Sequence, residues 1–313
     1  MAFESKYVWL EGNFVPYEKA TIHFMTSSLH YGTGIFEGIR SYATAHGPAV
    51  FRLKDHIKRM YRSADILGLS QLPYTEEEVY DAILKLIEMN ELEECYIRPL
   101  IYIKEGGWNL SVDNTTVEIS VAVWKWTNYL GDEALNRGVR ANISSFPRHH
   151  PNITMTKGKI AGNYVNSVLA KTESVRAGYD EAIMLDPNGN VSECTGENLF
   201  VVRDNVILTP PRNSVLEGIT RQSIITLAED LGYRVTEEIL TRDQLYIADE
   251  VFVTGTAAEV IALREIDRRK IGSGSMGPVC ATLQKAYSDA IHGRSVIHDD
   301  WLDYVYTAIE QNV

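Results

Sequence analysis

The 313-residue sequence has no run of about eighteen apolar residues, so nothing in it reads as a membrane-spanning helix. Its first residues, Met-Ala-Phe-Glu-Ser-Lys, lack the apolar core of a signal peptide. Cysteine is scarce. Cys95, Cys194 and Cys280 are odd in number and widely spaced, which fits neither a disulfide framework nor a zinc site. Positive charge is short as well: 30 Lys and Arg stand against 42 Asp and Glu, a formal net charge of −12. Nucleic-acid binding needs a basic face, so nucleic acid is not the expected partner. Repeats and low-complexity tracts are missing too. These absences leave a cytoplasmic, reducing compartment as the expectation, with each cysteine a small buried apolar group. A small anionic ligand stays open, because a few local donors suffice for one.

What is present is ordinary for a globular protein: 45% hydrophobic and 23% charged residues. The length exceeds what one core usually serves, so two domains are expected. Strands and helices mix in the first half: an opening hairpin about Glu11-Gly12-Asn13, a short strand at Val50, a helix with Leu53, Ile57, Met60, Ala64 and Leu67 inward, and a second helix capped by Thr75 and Glu78. Cys95 to Ile103 reads as a strand with Tyr96 and Arg98 on one side, and Pro99 suggests an edge or bulge there. Arg59 lies off the apolar stripe, where a solvated arginine is the default. Thr116 to Trp126 alternates and closes a small N-terminal domain, 1–126. Residues 127–137 read as a connection, and 138–313 as a larger C-terminal domain. Strands are expected there at Val139 to Phe146, Glu181 to Leu185, Asn198 to Arg203, Tyr233 to Leu240 and Glu250 to Thr254, and a last helix from Pro278.

Several stretches carry possible chemistry. Thr156 to Asn166 sets Lys159 between Gly158 and Gly162, just before a helix-like run. A lysine becomes a nucleophile when burial or nearby charge makes its amine partly neutral, and glycines let a backbone approach a bound group. A solvated surface loop is the competing reading. Tyr31 to Arg40 holds three glycines among Tyr, Phe and Arg, consistent with close approach of a ligand or with a barrel corner. Gly218-Ile219-Thr220 opens a helix, where free N–H groups and the dipole favour a phosphate. Gly255-Thr256-Ala257 offers a similar nest after a strand. Each of these also reads as a plain cap or turn. Ser192 to Phe200 holds two carboxylates, Glu193 and Glu197. A buried one can keep a heterocyclic nitrogen protonated, yet the motif alone is ambiguous.

Taken together, YGTGIFEGIR (Tyr31 to Arg40), KIAGNY (Lys159 to Tyr164), SECTGENLF (Ser192 to Phe200), LEGITR (Leu216 to Arg221) and GTAAE (Gly255 to Glu259) resemble the branched-chain amino-acid aminotransferases in order and spacing. The resemblance covers nearly the whole chain. It implies an α+β, two-domain fold type IV architecture, like that of D-amino-acid aminotransferases, with a barrel-like C-terminal domain. It implies pyridoxal 5′-phosphate as cofactor, no metal, and ping-pong transamination between branched-chain L-amino acids and 2-oxoglutarate. Lys159 would form the Schiff base. Glu193 would face the ring nitrogen, Tyr164 the phenolic oxygen, and Arg59, Leu216, Gly218, Ile219, Thr220 and Thr256 the phosphate. An apolar substrate pocket would use Phe36, Trp126, Tyr129 and Tyr164, and Gly38 would also bind substrate. Tyr31 and Arg98 would take a glutamate side chain. The α-carboxylate would sit on Thr256, Ala257 and Ala258, helped by Tyr96 and supported by Arg40. The resemblance also implies a homodimer or a higher assembly of dimers. The loop Gly106 to Leu110 departs from the family pattern in carrying Trp108. A D-amino-acid or (R)-amine aminotransferase, an aminodeoxychorismate lyase and a non-catalytic small-molecule-binding protein are the competing readings.

Overall fold

The computed structural model describes residues 5–126 and 132–306. In chain order the elements are β1 (Tyr7–Leu10), β2 (Asn13–Pro16), α1 (Ser27–Tyr31), β3 (Ile35–Phe36), β4 (Ile39–Thr44), β5 (Gly47–Phe51), α2 (Leu53–Leu67), α3 (Glu76–Asn90), β6 (Cys95–Glu105) and β7 (Thr116–Lys125). There follow α4 (Asp132–Arg137), β8 (Val139–Ile143), α5 (Tyr164–Arg176), β9 (Glu181–Leu185), β10 (Val191–Cys194), β11 (Asn198–Arg203), β12 (Val206–Thr209), α6 (Ile219–Asp230) and β13 (Arg234–Glu237). The chain continues with α7 (Arg242–Tyr246), β14 (Glu250–Gly255), β15 (Glu259–Ile266), β16 (Arg269–Lys270), α8 (Pro278–Ile291) and β17 (Leu302–Tyr304). Two compact units result. The first takes the chain up to Trp126, the segment Gly158–Gly162 and the chain from Asp289 on; the second takes Thr127–Lys157 and Asn163–Ser288.

The first unit is built on one sheet, ordered β17-β5-β4-β6-β7-β1-β2, with β3 also on β6. Strand alternation gives this sheet two chemically different faces. Ile39, Ile97, Val121 and Val123 point to one face and pack with Ile57, Met60, Ile83 and Leu86 of α2 and α3. Arg40, Tyr96, Arg98 and Trp124 fall on the other, since Arg40 is opposite Tyr96 and Tyr96 is opposite Trp124. The capping box at α3 forms as expected: Glu78 N donates to Thr75 Oγ1 at 3.2 Å, and Thr75 N to Glu78 Oε2 at 2.7 Å. Pro99 lies inside β6, and the irregularity falls on its partner. The register runs Phe36 to Leu100 and Ile39 to Ile97, so the break between β3 and β4 lies opposite Pro99, which has no N–H to donate. Gly38 sits in that break.

The second unit has a sheet ordered β10-β9-β8-β15-β14-β11-β12-β13, with β16 on β15. β8 runs parallel to β9 and to β15, and β12 parallel to β13; α5 and α6 are the crossovers that parallel pairing demands. Val201, Val253, Ile261 and Leu263 anchor its core. The Asp204-Asn205 turn has φ of 50° and 62°, the primed geometry that matches strand twist.

Four local expectations change, the first being that the strand expected over Tyr233 to Leu240 is confined to Arg234–Glu237. The strand expected to reach Phe146 stops at Ile143, because Glu173 takes Ser144 Oγ at 2.8 Å and Ser145 N at 2.9 Å and Pro147 follows. The short helix α1 was not anticipated: its five residues show no apolar period, and it ends on Gly32 in the left-handed region. Within the stretch read as a connection, Asp132–Arg137 is helical.

Candidate active site

In the first unit the Lys159 segment is laid along Gly32–Phe36 as a short ladder. Phe36 N donates to Lys159 O at 3.2 Å, Ala161 N to Gly34 O at 2.7 Å, and Gly162 N to Gly32 O at 2.8 Å. A Cβ added at Gly162 would lie 3.1 Å from Gly32 O, so a side chain here would press on the facing backbone. From α2, Ser63 Oγ accepts the Lys159 N–H at 3.1 Å. The Lys159 side chain is half-buried, with Nζ 4.8 Å from the centroid of the Phe36 ring. The surface-loop reading of this stretch therefore fails.

The same helix face carries an ion cluster. Arg59 donates from Nε to Glu37 Oε1 at 2.7 Å and from Nη2 to Glu37 Oε2 at 2.8 Å. His56 Nδ1 meets Glu37 Oε2 at 2.8 Å, and Glu37 and His56 are fully buried. Burial works against the Glu37 charge, but Arg59 and the hydrogen bond from His56 outweigh it and hold the carboxyl well below its usual range. Burial is also the main cause that lowers His56 below the ordinary imidazole value. Neutral His56 donating from Nδ1 suits this arrangement. A solvated Arg59 is thus excluded. Sequence reading missed Glu37 and His56, since one looked like part of a glycine-rich turn and the other sits amid an apolar helical stripe.

Most of the expected substrate residues of this unit gather on one sheet face. Arg98 Cζ lies 4.9 Å from the Phe36 ring centroid, and Arg98 Nη2 donates to Tyr96 Oη at 3.2 Å. Tyr96 lies 4.5 Å from Trp126 between ring centroids. A Cβ at Gly38 would fall 2.1 Å from Tyr96 Oη, so it is a side chain that requires the glycine here. Arg40 is buried with its guanidinium 4.5 Å from the Tyr42 ring centroid. Tyr31 stands apart from this group, exposed at the end of α1, with its ring 5.9 Å from Trp108. Tyr129 lies outside the described residues.

In the second unit the centre is Glu193, buried at the end of β10. Arg148 Nε is 2.7 Å from its Oε1, Leu216 N donates to its Oε2 at 3.1 Å, and Asn198 Nδ2 donates to the same oxygen at 3.1 Å. Asn198 Nδ2 also donates to Leu216 O at 3.0 Å, which ties the Leu216 turn to the strand. Gly218, the N-cap of α6, backs onto this amide: an added Cβ would lie 2.0 Å from Asn198 Oδ1. Ile219 and Thr220 are buried in the first turn of α6. Among the described residues no hydrogen bond is made by the N–H groups of Thr256, Ala257 or Ala258, which form the turn between β14 and β15. Tyr164 is half-buried at the start of α5. Arg148 was not foreseen, because a loop arginine carries no periodic signal.

Each unit by itself carries groups suited to binding part of a phosphorylated heterocyclic aldehyde. The first unit offers a half-buried amine and a fixed guanidinium. The second offers a buried carboxylate, a helix N-terminus and a turn with open N–H groups. Comparison with known proteins agrees. The family model for amino-transferase class IV matches residues 34–266. A branched-chain-amino-acid aminotransferase of Pseudomonas aeruginosa is 46% identical over 301 residues, covering 96% of this chain and 98% of that protein. A solved T.th. branched-chain amino acid aminotransferase with pyridoxamine 5′-phosphate is 48% identical, with a TM-score of 0.93 over 97% of this chain and all of that one. The Escherichia coli structure of that name has a TM-score of 0.94 at 42% identity, covering 96% of this chain and 100% of that chain.

Proposed function

The chain belongs to the class IV aminotransferases, and on that footing we propose that it is a branched-chain-amino-acid transaminase. It moves the amino group between L-leucine, L-isoleucine or L-valine and 2-oxoglutarate in two half-reactions. Pyridoxal 5′-phosphate, when bound, supplies a carbonyl that captures amines and a ring that takes up electrons. The rest falls to the chain's own residues.

Lys159 holds the nucleophilic amine, and the same amine moves the proton at the substrate Cα. The ladder onto Gly32–Phe36 and the bond to Ser63 fix its backbone, and this is the observation that carries the reading. Glu193 supplies a fixed negative charge for a protonated ring nitrogen. Its bonds from Leu216 and Asn198 hold the carboxylate in place. Tyr164 would hold the ring through its phenolic oxygen. Arg59, with Leu216, Gly218, Ile219, Thr220 and Thr256, receives the phosphate. The substrate's apolar side chain is assigned to Phe36, Trp126, Tyr129 and Tyr164, with Gly38 as a further substrate contact. Arg98 and Tyr31 take the glutamate carboxylate. The turn Thr256-Ala257-Ala258 binds the α-carboxylate with help from Tyr96 and, behind it, Arg40.

The functional protein is a homodimer or an assembly of dimers in the cytoplasm. Exposed Phe24, Tyr31, Trp108 and Leu110 in one unit and Val165 and Val168 in the other support an assembly. Three buried free cysteines suit a reducing compartment.

The test is direct. Borohydride treatment of the holoenzyme should bleach its visible band and add the cofactor mass to the peptide holding Lys159. Modification of another lysine would refute the assignment. With 2-oxoglutarate as acceptor, L-leucine and L-valine should outrun D-alanine and (R)-1-phenylethylamine; preference for D-alanine would overturn the substrate class.

A further inference from the structure

Under the Gly255–Ala258 turn lies a buried carboxyl for which the assignments above have no use. Glu197 is 6% exposed, and its Oε2 accepts the N–H of Gly196 at 3.1 Å. The turn rests on it: a Cβ at Gly255 would lie 3.4 Å from Glu197 Cγ and 3.3 Å from Gly196 O. Each neighbouring cation already has a carboxylate. Lys171 of α5 is 2.5 Å from Glu181 of β9, and Arg148 is 2.7 Å from Glu193 of β10. The other oxygen of Glu181 takes Thr195 Oγ1 at 2.5 Å. Buried Cys194 completes the surroundings. Among the described residues, no Lys or Arg forms an ion pair with Glu197.

We propose that Glu197 is kept as a neutral carboxylic acid, and that its neutrality is what allows the turn above it to hold an anion. A carboxylate at this point would add a buried negative charge next to the backbone at Gly255, where the turn begins, and so oppose an anion held on that turn. Burial, followed by the charge of Glu181, pushes the Glu197 carboxyl up to about 8. Lys171 pulls the other way but is closer to Glu181. Glu197 is thus a positioning residue that sets the alkaline limit of carboxylate binding. This inference rests on placing the α-carboxylate on Thr256-Ala257-Ala258.

The probe is 4-methylpentanoate, a carboxylate without an amine, used as a dead-end inhibitor of the holoenzyme from about pH 7 to 9.5. In the parent protein its inhibition constant should rise on the order of tenfold, with a midpoint near 8. Glu197→Gln should flatten the profile and retain the neutral-pH value. Infrared difference spectra of the parent, with Glu carbonyls isotope-labelled, should show a protonated-carboxyl band lost over the same range. A missing band at neutral pH overturns the inference while leaving the carboxylate assignment intact. A band that titrates beside a flat inhibition profile overturns the placement of the carboxylate on this turn, and the inference with it. Retention of the rise in Glu197→Gln also overturns the inference.

Discussion

Arg59 and Glu37 meet through two parallel hydrogen bonds, Nε to Oε1 at 2.7 Å and Nη2 to Oε2 at 2.8 Å. Such a fork fixes the guanidinium plane as well as its position. It ties α2 to the break between β3 and β4, next to the residue that pairs with Lys159. Glu37→Gln should cost about 3 kcal/mol in denaturant unfolding, because Arg59 would keep its charge without its partner. The pH sign follows from two groups. Glu37 is held below its ordinary value of 4.5, so its contribution is present above that value and is lost as the pH falls. His56 is held below 6.5, so charging it on acidification also opposes folding. Stability should therefore fall below pH 6.5 and more steeply below 4.5, and Glu37→Gln should remove most of the second drop. An unchanged acid profile would contradict this.

Lys159→Ala should lower turnover by roughly 10³-fold or more, as expected for loss of both nucleophile and base. The fold should remain, since the ladder from Gly32 to Phe36 uses the Lys159 backbone. Single-turnover kinetics with L-leucine and a far-ultraviolet dichroism spectrum check both halves. Turnover near that of the parent would refute the role.

Gly218→Ala should disturb Glu193 without touching it. The new methyl would collide with Asn198 Oδ1, whose amide nitrogen donates to Glu193. A loss of about 1–3 kcal/mol is expected from such overpacking. In an Asn198→Ala background the same substitution should cost much less. A double-mutant cycle on thermal unfolding and on cofactor affinity measures the coupling. Additive effects would show that the contact is unimportant.

Glu197→Gln should raise the melting temperature relative to the parent at about pH 9 more than at about pH 6. A carboxyl whose folded value is raised contributes stability below its unfolded value, and loses it as the pH climbs through about 8. The amide has no charge to bury. Equal melting differences at both pH values would argue against a neutral acid at this site.

Much of the architecture was legible because it follows local rules. The α3 capping box, the Asp204-Asn205 turn and the Pro278 helix start all rest on residues a few positions apart. That Tyr96 and Arg98 share one side of β6 followed from strand alternation, and the structure adds the hydrogen bond between them. Glu37, His56 and Arg148 were not legible. Each draws its meaning from a partner distant in sequence: Glu37 from Arg59, His56 from Glu37, and Arg148 from Glu193.

The chain's own letters determined that it carries a lysine between glycines, two small-residue turns at a helix start and a strand end, and a strand bearing Tyr96 and Arg98 on one side. They determined these because backbone period, caps and missing side chains act over a few residues. Only the tertiary structure decided which carboxyl is charged and which cation is paired. Burial and Coulomb interaction depend on distance in space, and Glu193 beside Arg148 and Glu197 without an ion pair among the described residues differ in nothing that the sequence motif displays.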